Sequence, residues 1–145
     1  MLNKALIAVL MSLLSMIALA ESISVTVKPE KGFAGLTSLN IHEDGNVTVL
    51  VYESAVKINE NTLDLEPERK KLLRLQSLSA IDDYLKQSSY DSLKIVTFTI
   101  SIAHTTDGVT KNISSKRLNK EATELIKTLI ELVPGNSLDY VKEEI

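Results

Sequence analysis

Between Ser22 and Lys28 apolar and polar residues alternate, with Ile23, Val25 and Val27 set against Ser22, Ser24, Thr26 and Lys28. Successive side chains on a strand point to opposite faces, so this spacing predicts a half-buried strand with one polar face. Pro29 ends it, and residues 31–35 read as a loop with two glycines. Leu39 and Ile41 alternate with Ser38, Asn40 and His42, which predicts a second strand. Glu43-Asp44-Gly45-Asn46 reads as a hairpin turn, because Asp-Gly supplies the positive φ that such turns require. Val47, Val49 and Val51 then face one way, and Thr48, Leu50 and Tyr52 the other. Val56 and Ile58 extend or restart this sheet, Asn59-Glu60-Asn61 reads as a turn, and residues 63–65 as one more short strand.

The pattern changes at Glu66. Pro67 suits the first turn of a helix, where a missing N–H costs nothing, and Glu66 and Glu68 complement the helix dipole. The predicted helix runs to about residue 77 with Leu72, Leu73 and Leu75 inward. Leu78, Ile81, Tyr84 and Leu85 are at helical spacing and predict a short second helical segment, followed by a polar loop over 87–92. Residues 95–103 are the most strand-like run, with Val96, Phe98, Ile100 and Ile102 on one face. Thr105-Thr106-Asp107-Gly108 turns it, and residues 109–114 return antiparallel. Leu118, Ala122, Leu125, Ile126, Leu129 and Val133 form one amphipathic stripe, and Pro134-Gly135 stops that helix. Leu138 and Val141 predict one more helical turn in the tail.

Strands joined by tight turns make an antiparallel sheet, and amphipathic helices must bury their stripes on it. The expected fold is therefore α+β: an antiparallel sheet of four to six strands with two main amphipathic helices packed on one face, after an N-terminal signal helix. The 145 residues divide into a leader over 1–20 and a single α+β domain over 21–145. Lys4 precedes an apolar run over residues 5–20, interrupted only by Ser12 and Ser15. Ala18-Leu19-Ala20 supplies the small-x-small pattern of a signal peptidase site, with cleavage expected between Ala20 and Glu21. The run is shorter than the ~20 residues a membrane-spanning helix needs, and no Cys follows it for lipidation. The expected destination is the periplasm or the cell exterior, with no membrane attachment after cleavage. A net charge of −3 argues against a sequence-independent nucleic-acid binder and against a polybasic membrane clamp.

The absence of Cys removes thiol nucleophiles, CxxC redox pairs and thiolate metal sites. His42 and His104 sit beside predicted hairpin turns, where Glu43, Asp44 and Asp107 are adjacent in sequence. A metal site or a hydrolase would need them to converge with further groups, but no G-x-S-x-G elbow accompanies them. Glu43-Asp44, Asp82-Asp83 and Glu143-Glu144 are adjacent pairs, and adjacent side chains do not face each other as acid–base chemistry requires. Gly32 and Gly35 do not form a phosphate loop, and the residues call for no cofactor and no metal. Four Tyr, two Phe and no Trp are poor material for a stacking platform that grips sugars or bases. No catalytic constellation is legible, and the chain reads as non-enzymatic.

There remains the loop Gly32-Phe33-Ala34-Gly35, the candidate binding site. Phe33 either folds back to cap the core or stands out as an apolar anchor for a partner protein. That loop, Leu39-Asn40-Ile41, the run from Asp44 to Val49, the leucine helix and Thr97-Phe98-Thr99-Ile100 together resemble small exported bacterial domains of unknown function. The Gly-Phe-Ala-Gly loop after a first strand, with the later helix and hairpin, also resembles emfourin-type inhibitors of thermolysin-like metalloproteases. The resemblance covers residues 23–133, with Lys31 standing where a further glycine is usual and a longer segment over 50–65. It implies a sheet with helices on one side and an inhibitory loop at residues 32–35. The expected function is thus an exported binding or accessory protein contacting another protein by an edge strand or by this loop. A metalloprotease inhibitor, and a hydrolase using His42 or His104, are the alternatives.

Overall fold

Alternation of Val, Ile and Leu with Ser, Thr and Asn sets the architecture, because it gives each strand one face to bury. The computed structural model describes residues 21–30, 35–86 and 93–145. In these the chain forms β1 (Glu21–Lys28), β2 (Leu36–Ile41), β3 (Val47–Glu53), β4 (Val56–Leu63), α1 (Pro67–Lys86), β5 (Lys94–Thr106), β6 (Val109–Leu118), α2 (Lys120–Leu132) and α3 (Asp139–Lys142). The strands make one sheet in the order β4-β3-β2-β1-β5-β6, antiparallel at every pairing. The molecule is a mixed α+β fold. The leader and the polar loop over 87–92 lie outside the described residues.

Register turns the alternation into two faces. Val25 lies opposite Leu39 and Ile102, and Leu39 opposite Val49, so these four form one apolar row. Val27 pairs with Ile100, and Ile41 with Ile23 and Val47, on the same face. These side chains join one core cluster with Leu73, Ala80, Ile81 and Tyr84 of α1 and Ala122, Leu125, Ile126 and Leu129 of α2. Leu138 and Val141 of the tail are buried in the same cluster, as their spacing predicts.

Three expectations need correction. Asn59-Glu60-Asn61 is not a turn but the middle of β4, paired with Val51, Leu50 and Val49. The turn lies earlier, at Ser54-Ala55, both at positive φ (49° and 66°). β4 is an edge strand exposed for most of its length, so it needs no apolar alternation, and its register shifts beside Tyr52. Residues 67–86 form one helix rather than two, and its buried face is Leu73, Ser77, Ala80, Ile81 and Tyr84. Leu72, Leu75 and Leu85 point outward, 43–60% exposed. Small residues, Ser77 and Ala80, occupy the inner stripe where α1 meets its neighbours; the Ser77 hydroxyl donates to the Leu73 carbonyl at 2.7 Å. Finally, Leu118 ends β6 instead of opening the last helix, and Asn119 is the helix N-cap.

Candidate functional site

The second face of the sheet is built from the polar half of each alternating strand. Read across the strands, Thr62 pairs with Thr48, Thr48 with Asn40, Asn40 with Ser24, Ser24 with Ala103, and Ala103 with Asn112. One row thus crosses all six strands, about 24 Å at a spacing of about 4.8 Å per strand. Beside it runs Ser38, Thr26, Ser101 and Ser114, and on the other flank Ser22, Thr105 and Thr110. Hydroxyls tie neighbouring strands together: Thr26 to Ser38 at 3.2 Å, Ser101 to Ser114 at 3.0 Å and Thr105 to Thr110 at 2.8 Å. Such cross-strand pairs stabilise a sheet modestly, by roughly 0.2–1 kcal/mol each.

Within this face is a dish of about 200 Å³, lined by Ser22, Ser24, Asn40, His42, Ala103 and Thr105 with the backbone of Ile23 and Ile41. It exists because β1 and β5 carry small residues there, Ser22, Ser24 and Ala103, while His42, Asn40 and Thr105 form taller walls. No Asp, Glu, Lys or Arg lines it. His42 shares a hydrogen bond between Nε2 and Thr48 Oγ1 (2.8 Å), which fixes its ring at the rim. Asn40 Nδ2 donates to Ser38 Oγ at 3.3 Å. Among the described residues, the hydroxyls of Ser22 and Ser24 have no hydrogen-bond partner.

His104 lies opposite Ile23, whose other neighbour is Ile41, so both histidines are at one end of the sheet. They are on opposite faces: His104 follows the core register and His42 the polar one. His104 Nε2 contacts Glu21 Oε2 at 2.9 Å and Thr106 Oγ1 at 3.0 Å. A hydroxyl–imidazole–carboxylate relay needs the two partners on different ring nitrogens; here both meet the same one. Glu21 is also gripped by Arg74, through Nε to Oε1 and Nη2 to Oε2. The Arg74 hydrogen bonds hold the Glu21 carboxyl below its usual range; burial opposes this and His104 adds to it.

Of the predicted loop site, Gly32, Phe33 and Ala34 lie outside the described residues. Gly35 is buried, and a Cβ there would come within 2.7 Å of the Tyr52 carbonyl oxygen and 3.0 Å of Val51 Cγ1. Its lack of a side chain is what lets the chain enter β2 against β3. A second concavity of about 280 Å³ lies between the helices, lined by Leu75, Gln76 and Ser79 of α1 and Lys120, Glu121 and Glu124 of α2. Among the described residues no group of three or more His, Asp or Glu could hold a metal ion. No described helix is long and apolar enough to cross a membrane. The polar dish is the feature that sequence reasoning missed: alternation marks one polar face per strand, but only register aligns those faces around Ala103. Compared with known proteins, the chain matches no family model and no curated protein.

Proposed function

We propose that this chain is an exported, non-enzymatic binding protein that presents the open polar face of its sheet to a partner. The carrying observation is the dish, lined by no Asp, Glu, Lys or Arg, within an unbroken six-strand row of hydroxyl, amide and methyl groups. Export rests on the leader pattern alone, with Lys4, the apolar run over 5–20 and the Ala18-Leu19-Ala20 site. On this reading the cleaved protein acts in the periplasm or outside the cell.

The test has two parts. Intact mass and N-terminal sequencing of protein recovered from the envelope should show a chain beginning at Glu21; a retained Met1 overturns export with cleavage. Wild type, Ala103→Leu and Phe33→Ala are then immobilised and exposed to envelope extract, and retained molecules are identified and rebound in purified form. Retention lost only with Ala103→Leu supports the open face. Retention lost only with Phe33→Ala moves the site to the loop, and a metalloprotease so retained would make inhibition the function. No specific retention by any of the three overturns the binding reading.

A further inference from the structure

The chemistry of the dish narrows what it can hold, on the reading that the open face is a binding surface. We infer that it is a subsite for one ring of a neutral, hydroxyl-rich oligosaccharide lying across the strands.

No Asp, Glu, Lys or Arg lines the dish, so a cationic group entering it would lose hydration without gaining a counter-ion, and an anionic one would meet only the His42 imidazole, whose Nε2 is already engaged with Thr48 Oγ1. An apolar ligand would cover the hydroxyls of Ser22 and Ser24 and leave them unpaired, at a cost that disfavours it. Each Ser or Thr hydroxyl both donates and accepts, and Asn40 adds a carbonyl oxygen that the Nδ2–Ser38 bond leaves unused. A neutral polyol carries the same dual character on every hydroxyl and can meet these groups without a fixed protonation state. The volume of about 200 Å³ is near that of a cavity of about 150 Å³ that takes one benzene ring, the scale of a single sugar ring and too small for a folded peptide segment. The dish is not isolated either. Thr48 and Thr62 continue its row to one edge of the sheet, and Asn112 continues it to the other. A chain of neutral rings perpendicular to the strands would therefore meet polar groups on both sides of the central one. Without an aromatic ring in the lining, hydrogen bonding alone holds the ligand, which places the affinity in the weak range.

The experiment is an amide-shift titration of the mature protein with uncharged hexasaccharides of the cello-, malto- and xylo-series. A hexagalacturonate and a hexamer of glucosamine serve as anionic and cationic controls. The expected result is saturable binding to a neutral series with a Kd of about 1 mM or tighter, with shifts centred on Ser22, Ser24, Asn40, Ala103 and Thr105. Ala103→Leu, which fills the floor, should weaken it at least about tenfold while the remaining spectrum keeps its dispersion. Asn40→Ala, a truncation at the wall, gives the same test if the larger side chain disturbs folding. The inference is overturned by no saturable shift up to about 10 mM, by shifts centred elsewhere, by equal binding of a charged control, or by unchanged affinity in both variants. If the neutral sugars fail while a captured partner still depends on Ala103, the ligand class falls and the binding face stands.

Discussion

At the scale of single residues, the stability of the fold is concentrated where chemistry and backbone geometry disagree or are finely matched. Ala55 holds φ at 66° in the turn between β3 and β4, next to Ser54 at 49°. A side chain in that region costs roughly 1–2 kcal/mol, which glycine avoids at a smaller entropic cost. Ala55→Gly should therefore stabilise the protein by about 0.5–1 kcal/mol, read as a higher urea midpoint with unchanged slope. A lower midpoint would mean that the turn adopts another geometry in solution. Glu21 makes the opposite case, a side chain whose contacts favour its charged form. Its carboxyl is held below the ordinary value of 4.5, first by the Arg74 hydrogen bonds and then by His104, against burial. A depressed carboxyl stabilises the fold above the unfolded value, and that contribution is lost as pH falls through the lower folded value. Thermal melts from pH 6 downward should show a steeper acid loss in wild type than in Glu21→Gln; identical slopes would show that the pairing with Arg74 and His104 carries no stability.

At the scale of elements, Asn119 joins three pieces of structure. Its Oδ1 accepts from the Ala122 N–H at 2.7 Å and caps α2. Its Nδ2 donates to the Ala80 carbonyl of α1 at 3.4 Å, while the Tyr84 hydroxyl beside it donates to the Arg117 carbonyl of β6. Asn119→Ala should cost about 2 kcal/mol, the upper end for a lost cap, since a buried carbonyl also loses its donor. Asn119→Ser, which keeps the cap, should cost less, and equal losses would place the whole effect in the α1 contact. The outward leucines of α1 show why this helix was hard to read. Leu72, Leu73 and Leu75 look alike in sequence, but only Leu73 is buried, because the helix meets the core along Leu73, Ser77, Ala80, Ile81 and Tyr84. Small polar Ser77 carries no signal of burial, whereas exposed leucines carry a false one. Leu73→Ala should cost about 2–5 kcal/mol and Leu75→Gln less than about 0.5 kcal/mol; the reverse ranking would turn the helix over. The alternating faces of β1, β3 and β5 and the α2 stripe from Ala122 to Leu129 are legible in the sequence, while Leu118 falls in β6 and Thr105-Thr106 in β5 rather than in the expected helix and turn. β4 is not legible, since an edge strand has little to bury. The dish escaped because a small residue at Ala103 has meaning only once β1, with β2 beyond it, lies beside β5.

At the scale of the whole molecule, the two ends of the described chain both fasten onto the centre of the sheet. β1 is flanked by β2 and β5, so the second edge of the first described strand is paired only when the chain has returned from α1. The tail then closes the stretch where β5 leaves register with β6, between Ile95 and Ile100. There the Glu144 carboxylate accepts from the Thr97 N–H at 2.9 Å and from its hydroxyl at 2.7 Å, and Lys94 donates to the Glu144 carbonyl. Behind it Tyr140 meets Phe98 edge to face, with ring centres 6.4 Å apart and planes at 77°. This clamp is good packing around one poorly placed group, for the Tyr140 hydroxyl is buried with no partner among the described residues. Burial pushes that hydroxyl up to about 12 from the ordinary 10.0. A raised value in the folded state means stability that is whole below pH 10 and lost as pH rises towards 12, because unfolding frees the phenol to ionise. Tyr140→Phe keeps the ring against Phe98 and removes both the unpaired hydroxyl and its ionisation. It should be neutral or more stable by up to about 1 kcal/mol at pH 7, and should lose less stability than wild type between pH 10 and 12. Tyr84, raised in the same direction mainly by burial, leaves a residual alkaline loss in both proteins. Destabilisation by Tyr140→Phe at pH 7 would show that the hydroxyl has a partner in solution, and that the tail is held by a hydrogen bond as well as by its ring.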